Sequence, residues 1–146
     1  MTQDNTDRKK VLVVEDEPII ARVCQRTLTA DGFQVDVAVN GLVAKKMIND
    51  KSYDLCLSDI RTPEMNGIEL FEYLEQEHHE LASKTIFTTG DVLSNNIDKF
   101  LIRVKRPFLA KPFAPDELRK VIKEVLNGEV VPDFTDVPAE SLPLKR

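Results

Sequence analysis

Five short apolar runs alternate with stretches of helical periodicity between about residues 10 and 128. The runs predict buried strands, and they span residues 11–14, 33–39, 55–57, 85–89 and 107–110. Because the connections are short and crossovers between parallel strands are right-handed, the strands must be parallel, with helices on both faces of the sheet. The sequence therefore predicts one doubly wound five-stranded α/β domain with five helices. The fifth run starts with Pro107, which favours an edge strand.

Helix start and stop signals frame the five predicted helices. The first begins at Pro18, the second at Asn40 and the third after Gly67. The fourth covers residues 93–104, and the fifth covers residues 115–126, which carry the most regular apolar stripe of the chain.

Length and composition limit the class of protein. With 146 residues, 42% hydrophobic and 31% charged, the chain suits one globular domain. A net charge of −5 argues against direct nucleic-acid binding, which needs a basic surface. Residues 1–9 are polar and are expected to be flexible; they lack the apolar core of a secretory signal. No apolar run approaches a membrane span, so no membrane association is expected.

Three other features give expectations about compartment and order. Cys24 and Cys56 lie in apolar surroundings, so buried reduced thiols are expected, which fits a cytoplasmic protein. Residues 129–146 contain three prolines and no periodicity, and a disordered tail is favoured over a segment that docks on a partner. His78 and His79 end an acidic predicted helix, and solvated surface positions are expected for both.

Chemically active side chains gather where the predicted strands end. Because the carboxyl ends of parallel strands share one edge, these side chains should lie close together. In strand order they are Glu15 and Asp16, Asp59, Thr89 and Lys111. Three carboxylates in one crevice repel each other unless a positive charge lies between them. Mg²⁺ would relieve that repulsion, since it prefers oxygen ligands and keeps waters that a phosphate can displace.

Each of these residues alone has an ordinary explanation. An acid at a strand end often closes a turn, and Glu15 and Asp16 precede a helix whose N-terminus favours acids. A threonine in a strand and a surface lysine need no function either. These explanations do not account for acids, a hydroxyl and an ammonium group at the same edge.

Taken in order, the motifs resemble the receiver domain of bacterial two-component response regulators. The likeness covers nearly all of residues 10–128 and rests on four motifs. These are the first strand with Glu15-Asp16, the Asp59 loop with Pro63, Met65 and Gly67, the Thr88-Thr89-Gly90 triplet, and residues 108–113 with Lys111-Pro112. The resemblance implies the flavodoxin-like strand order 2-1-3-4-5 and a phosphoacceptor that signals by a conformational switch.

The resemblance also implies roles at the acceptor. Asp59 would be the nucleophile that becomes an aspartyl phosphate, a role that carboxylates take in other phosphoryl transfers. The Mg²⁺ ligands would be Asp59, Asp16, the backbone carbonyl of Arg61, and Glu15 directly or through water. Lys111 would bind phosphoryl oxygens.

Thr89 would bind phosphoryl oxygens as well, and it would form the switch together with Phe108. Thr89 is preferred to Thr88 because it directly precedes the small residue Gly90. Because position 108 holds phenylalanine and not tyrosine, the switch would lack a hydroxyl there.

Three positions of the chain depart from or vary within the family pattern. Thr62 stands where the family often has methionine. Arg61 and Asp91 occupy variable positions that, in the family, tune the lifetime of the phosphorylated state. The direction of their effect is not readable from the sequence.

Three other functions are alternatives. A magnesium-dependent phosphatase of the haloacid dehalogenase type would place its aspartate nucleophile after the first strand, with a second acid where this chain has Arg61. A flavodoxin-like cofactor binder would need a phosphate loop after the first strand, where Glu15-Asp16 would repel a phosphate. A phosphorylation-independent interaction module would not need the intact set of four residues, Asp16, Asp59, Thr89 and Lys111.

The resemblance implies a histidine kinase or a histidine phosphotransfer protein as phosphoryl donor, with an unknown output partner. The chain is expected to be a single-domain regulator or a receiver cut from a hybrid kinase, with only self-phosphorylation and autodephosphorylation as activities. The family's usual output surface joins the fourth helix, fifth strand and fifth helix, where a homodimer is also expected to form. Its charges are equally compatible with a solvated face: Lys99, Arg103, Lys105 and Arg106.

Overall fold

The predicted strands and helices are present in the computed structural model, which describes residues 8–90 and 95–128. The strands are β1 (Lys10–Val14), β2 (Gln34–Ala38), β3 (Leu55–Asp59), β4 (Thr85–Thr89) and β5 (Phe108–Ala110). The helices are α1 (Pro18–Ala30), α2 (Gly41–Asp50), α3 (Gly67–Glu77), α4 (His79–Ala82), α5 (Asn95–Val104) and α6 (Pro115–Leu126). The predictions for residues 1–7, Asp91, the start of the fourth predicted helix and the tail at 129–146 lie outside the described residues.

The five strands form one parallel sheet in the order β2-β1-β3-β4-β5, which confirms the predicted fold class and the edge position of β5. The register aligns the carboxyl ends of neighbouring strands. Val14 pairs with Ser58, and Asp59 pairs with Thr88 on the next strand. The residues that follow β1, β3, β4 and β5 therefore meet at one edge of the sheet.

Two apolar layers cover the two faces of the sheet. Alternation along β1 directs Val11 and Val13 into the layer beneath α1 and α6, and Leu12 and Val14 into the layer beneath α2, α3 and α5. All four side chains are almost completely buried, which explains why the run is continuously apolar. This two-sided packing fixes the strand ends from which the site is built.

The structure has six helices among the described residues, whereas the sequence predicted five. The additional helix is α4, a four-residue segment that follows α3 after one non-helical residue, His78 (φ −144°, ψ 66°). No glycine or proline marks that break, so the periodicity of residues 67–82 gave no sign of it. The longest helix, α1, has 13 residues, and in the described part of the chain no helix has the length and apolar character needed to cross a bilayer.

Candidate functional site

The carboxyl edge of the sheet brings the predicted acids and the lysine into direct contact. The Lys111 ammonium lies 2.9 Å from Glu15 Oε1 and 3.1 Å from Asp59 Oδ2. All three side chains are largely excluded from solvent, with exposed fractions of 12% for Lys111, 3% for Glu15 and 6% for Asp59. An ion pair at this depth is screened much less by salt than a surface pair.

Burial dominates the ionisation of Glu15. Loss of solvent raises the pKa of its carboxyl to about 7, and the nearby charge of Asp59 acts in the same direction, while the hydrogen bond from Lys111 opposes both. Burial alone would lower the pKa of the Lys111 ammonium. The hydrogen bond to Glu15 and the charge of Asp59 outweigh it, so that pKa lies above its ordinary value.

The three acids form a cluster whose chemistry suits a metal ion. One carboxylate oxygen from each of Glu15, Asp16 and Asp59 lies within 4.8 Å of the other two. Asp16 is exposed, whereas the other two are buried, so the cluster opens to solvent on one side. An all-oxygen set with one open side is typical of hard cations that keep part of their water shell. The residues present therefore fit a bound divalent cation.

Two hydrogen bonds hold the peptide between Ile60 and Arg61 in the loop after Asp59. The Gly67 N–H donates to the Ile60 carbonyl at 2.8 Å, and the Arg61 N–H donates to Asp59 Oδ1 at 3.3 Å. Further along the loop, Glu64 adopts a left-handed backbone with φ of 68°. These contacts define the position of Asp59 relative to the segment that precedes α3.

A second carbonyl in this loop links it to α2. The Met65 carbonyl accepts hydrogen bonds from Thr62 Oγ1 and from the Gly41 N–H, both at 2.8 Å. Gly41 packs so closely that an added Cβ would overlap the Met65 carbonyl oxygen. This connection was not predicted, because it joins a loop to a helix start 24 residues earlier and no local sequence signal records it.

Thr89 and Phe108 lie on the same face of the sheet. Phe108 pairs with Phe87, and Thr89 follows Phe87 by two residues on β4, so strand alternation directs all three side chains to one side. Thr89 is buried, and its carbonyl accepts a 2.8 Å hydrogen bond from the Lys111 N–H. Phe108 is half-buried against the layer beneath α5. The two residues of the predicted switch therefore lie on neighbouring strands, with Thr89 on β4 beside the strand that carries Asp59 and Phe108 on β5.

Two contacts of Glu17 were also missed by the sequence analysis. Glu17 lies 3.5 Å from the Lys111 ammonium, although its side chain is 61% exposed. The Glu17 N–H also donates to Glu15 Oε2 at 3.2 Å. Glu17 can be read from the sequence, but its contact with Lys111 depends on how the fold directs the lysine side chain.

Two residues expected at the surface are partly buried. His78 packs on Tyr73, and its Nε2 lies 3.1 Å from Asn49 Oδ1, whereas His79 is exposed as expected. Arg106 donates to the Thr85 carbonyl at 3.0 Å, and burial lowers the pKa of its guanidinium. Arg106 therefore differs from the exposed positions beside it on the surface of α5, β5 and α6. The homodimer through that surface stays a prediction.

A groove of about 430 Å³ lies beside Lys111. It is lined by Glu17, Ile19, Ile20, Val23, Gly90, Lys111, Pro112 and Phe113. Two of its apolar side chains are unusually open to solvent, with exposed fractions of 80% for Ile19 and 41% for Val23. Because these two residues are four apart on α1, they form one apolar strip in the groove beside Lys111.

The parallel sheet and the acids at its carboxyl edge define a flavodoxin-like α/β domain with an acidic site. Comparisons with known proteins identify the family within that class of fold. The family model of the response regulator receiver domain matches residues 11–123 of this chain. A probable transcriptional regulator, ycf29 of Porphyra purpurea, is 33% identical over 116 residues, which cover 80% of this chain and 56% of that protein. The response regulator ArlR of Staphylococcus haemolyticus is 30% identical over 129 residues, which cover 87% of this chain and 57% of that protein.

Solved structures show the same fold. A CheY-like receiver domain protein from Methanospirillum hungatei superposes with a TM-score of 0.77 at 28% identity, covering 84% of this chain and 96% of that chain. The response regulator TrrA from Thermotoga maritima, solved in complex with Mg(2+)-BeF, gives a TM-score of 0.70 at 30% identity, covering 81% of this chain and 99% of that chain.

This chain belongs to the response regulator receiver domain family, since the family match covers most of its length. The predicted resemblance is thereby confirmed. The chain spans a little over half the length of the ycf29 and ArlR proteins that it matches.

Proposed function

We propose that Asp59 accepts a phosphoryl group and that the resulting change at the sheet edge is the signal that this domain transmits. The observation that carries the proposal is the contact set of Asp59. Its buried carboxylate lies 3.1 Å from the Lys111 ammonium and within 4.8 Å of carboxylate oxygens from Glu15 and Asp16. The proposed nucleophile, the Lys111 cation and two acids that could hold a metal ion are thus close together.

The proposed step is an in-line displacement. One oxygen of the Asp59 carboxylate forms a bond to phosphorus while the bond between phosphorus and the donor atom breaks, and a histidine donor keeps the bonding electron pair on its imidazole nitrogen. Phosphoryl transfer depends on positioning and on charge stabilisation more than on acid–base catalysis. Lys111 would follow the phosphoryl oxygens, and the Thr89 hydroxyl would donate to them.

Mg²⁺ is the cation proposed for the acidic cluster. Asp16, Asp59 and the Arg61 backbone carbonyl would hold it, with Glu15 directly or through water, and when bound it would neutralise charge on the phosphoryl oxygens. Removal of Mg²⁺ by a chelator is accordingly expected to stop the transfer.

The proposed donor is a histidine kinase or a histidine phosphotransfer protein. Support comes from the groove beside Lys111, where the exposed Ile19 and Val23 offer apolar contact to a protein that brings an imidazole to Asp59. A cytoplasmic location is proposed as well, because Cys24 and Cys56 are free buried thiols.

After transfer, Thr89 and Phe108 are proposed to carry the change toward the surface of α5, β5 and α6. Their shared face and adjacent strands support that route.

The alternatives have weaker support. A haloacid-dehalogenase-type phosphatase needs a second acid two residues beyond its nucleophile, and Arg61 occupies that position. The contact between the largely buried Lys111 and Asp59 costs desolvation energy. An interaction module that is never phosphorylated gives no reason for such a contact.

The test is phosphorylation by acetyl phosphate with Mg²⁺, followed by intact-mass measurement. We expect one phosphoryl group on the wild-type chain and none on Asp59→Asn. Asp54→Asn is the matched control, because Asp54 is exposed at the opposite end of β3, where it accepts a hydrogen bond from the Lys10 N–H. It should be labelled like the wild type. Unchanged labelling of Asp59→Asn would refute the proposal.

A further inference from the structure

The Thr62 side chain makes a specific internal contact in the loop after Asp59. Thr62 has an exposed fraction of only 7%, and its hydroxyl donates to the Met65 carbonyl at 2.8 Å. A buried hydroxyl that loses its acceptor leaves a polar group unsatisfied, so the bond constrains the Thr62 backbone as well as its side chain.

The acceptor of that bond is fixed from a second direction. The same Met65 carbonyl accepts the Gly41 N–H at 2.8 Å, and Gly41 leaves no room for a Cβ beside it. Thr62 is therefore anchored to the first residue of α2 through one shared carbonyl oxygen.

Arg61 lies between two anchored neighbours. On one side the Ile60 carbonyl accepts the Gly67 N–H at 2.8 Å, and on the other side Thr62 is held through Met65. Because each residue has only two soft backbone dihedrals, anchoring both neighbours restricts how the peptide between Arg61 and Thr62 turns. The direction of the Arg61 carbonyl follows from that peptide.

We propose that Thr62 is a positioning residue for metal binding, which sets the Arg61 carbonyl through the Thr62–Met65–Gly41 link. The inference rests on the proposed function, in which that carbonyl is a ligand. It concerns a position where this chain departs from the family pattern. The hydroxyl touches neither the metal nor the phosphoryl group; it acts by keeping one ligand in place before the ion arrives.

The inference predicts a loss of Mg²⁺ affinity when the hydroxyl is removed. In isothermal titration calorimetry, Thr62→Val should bind Mg²⁺ about two- to tenfold more weakly than the wild type, the range expected for one buried hydrogen bond. Thr62→Ser keeps the hydroxyl, and it should restore affinity to within about twofold of the wild type.

Thr85→Val is the matched control for a purely structural effect. Thr85 is 1% exposed and donates its hydroxyl to the Leu81 carbonyl at 2.9 Å, at the opposite end of the sheet. The same chemical change there should lower the midpoint of urea unfolding while Mg²⁺ affinity stays at the wild-type value. Equal Mg²⁺ affinity in Thr62→Val and the wild type would overturn the inference, as would equal losses in Thr62→Val and Thr85→Val.

The wild-type chain provides a second readout that does not depend on a folded Thr62→Val. If the link favours metal binding, metal binding must favour the link by the same free energy. Mg²⁺ should therefore slow hydrogen exchange of the Gly41 amide more than that of the Lys51 amide, which bonds the Met47 carbonyl at the other end of α2. Equal slowing of the two amides would contradict the inference.

Failure of the inference can be told apart from failure of the proposed function. If the wild type binds Mg²⁺ and Asp16→Asn does not, the acidic site stands, and the Thr62 variants alone decide the role of the hydroxyl. If the wild type binds no Mg²⁺, the proposed metal site itself is wrong, and the inference falls with it.

Discussion

Lys111 is the residue on which the charge balance of the site depends. Its ammonium lies within 3.1 Å of both Glu15 and Asp59, so one buried cation serves two carboxylates. Mg²⁺ and Lys111 would act on different partners in the proposed function, since the ion binds carboxylates and the lysine follows the phosphoryl group. Their effects on binding and on transfer should therefore separate.

Lys111→Ala should show that separation. Without the ammonium the carboxylates repel each other more strongly, so Mg²⁺ affinity should be at least that of the wild type. Labelling by acetyl phosphate should be about a hundredfold slower, because a donor to the phosphoryl oxygens is lost. Lys51→Ala removes an exposed lysine that pairs with Asp36, and it should change neither quantity. A marked loss of Mg²⁺ affinity in Lys111→Ala would contradict the assigned roles.

The site residues were predictable to the extent that strand ends determine their position. Asp59 and Lys111 each follow a short apolar run, and a parallel sheet brings the ends of those runs together. Their proximity could therefore be predicted without knowing the conformation of the loops. Glu17 was not assigned a contact, because a long, mostly exposed side chain meets Lys111 only through the path of the loop after β1.

At the scale of elements, the loop after β3 and the start of α2 behave as one unit. The Met65 carbonyl joins them, and the Asn66 side chain then caps α3 by accepting the Glu69 N–H at 2.9 Å. Movement of the loop after Asp59 must therefore displace the start of α2 or break the bond to Gly41.

Gly41→Ala tests how closely these elements pack. Its Cβ would overlap the Met65 carbonyl, and overpacking of this kind costs about 1–3 kcal/mol, more than alanine gains from helix propensity. Urea unfolding should show that loss. Gly90→Ala is the matched control, since its Cβ would meet only Lys111 side-chain carbons at 3.8 Å or more, and its stability should stay near that of the wild type. A wild-type unfolding midpoint for Gly41→Ala would disprove the close packing.

The helices show where sequence prediction of elements succeeds and where it fails. α6 starts at Pro115 and ends at Leu126 as predicted, because both an apolar stripe and end signals mark it. α4 was missed because neither glycine nor proline marks the interruption at His78. The Thr62 bond to Met65 was missed for a related reason, since loop conformation depends on contacts with α2.

For the whole molecule, the parallel sheet determines where the candidate site forms. Its register places an acid pair, Asp59, a threonine and a lysine at one edge, and its two apolar layers keep that edge in place. The opposite edge holds His78, which contacts Asn49 and Tyr73 and has no part in the proposed transfer. The proposed function therefore assigns the phosphoryl group to one residue, Asp59.

Chemical mapping of the phosphorylated wild-type chain tests that claim most directly. Borohydride reduces an aspartyl phosphate to homoserine, and peptide mass spectrometry then locates the converted residue without any substitution. We expect homoserine at position 59 and unmodified aspartate at Asp16 and Asp54. Reduction of any other acid to its alcohol, or phosphate recovered on His78 or His79 with Asp59 intact, would contradict the proposed function.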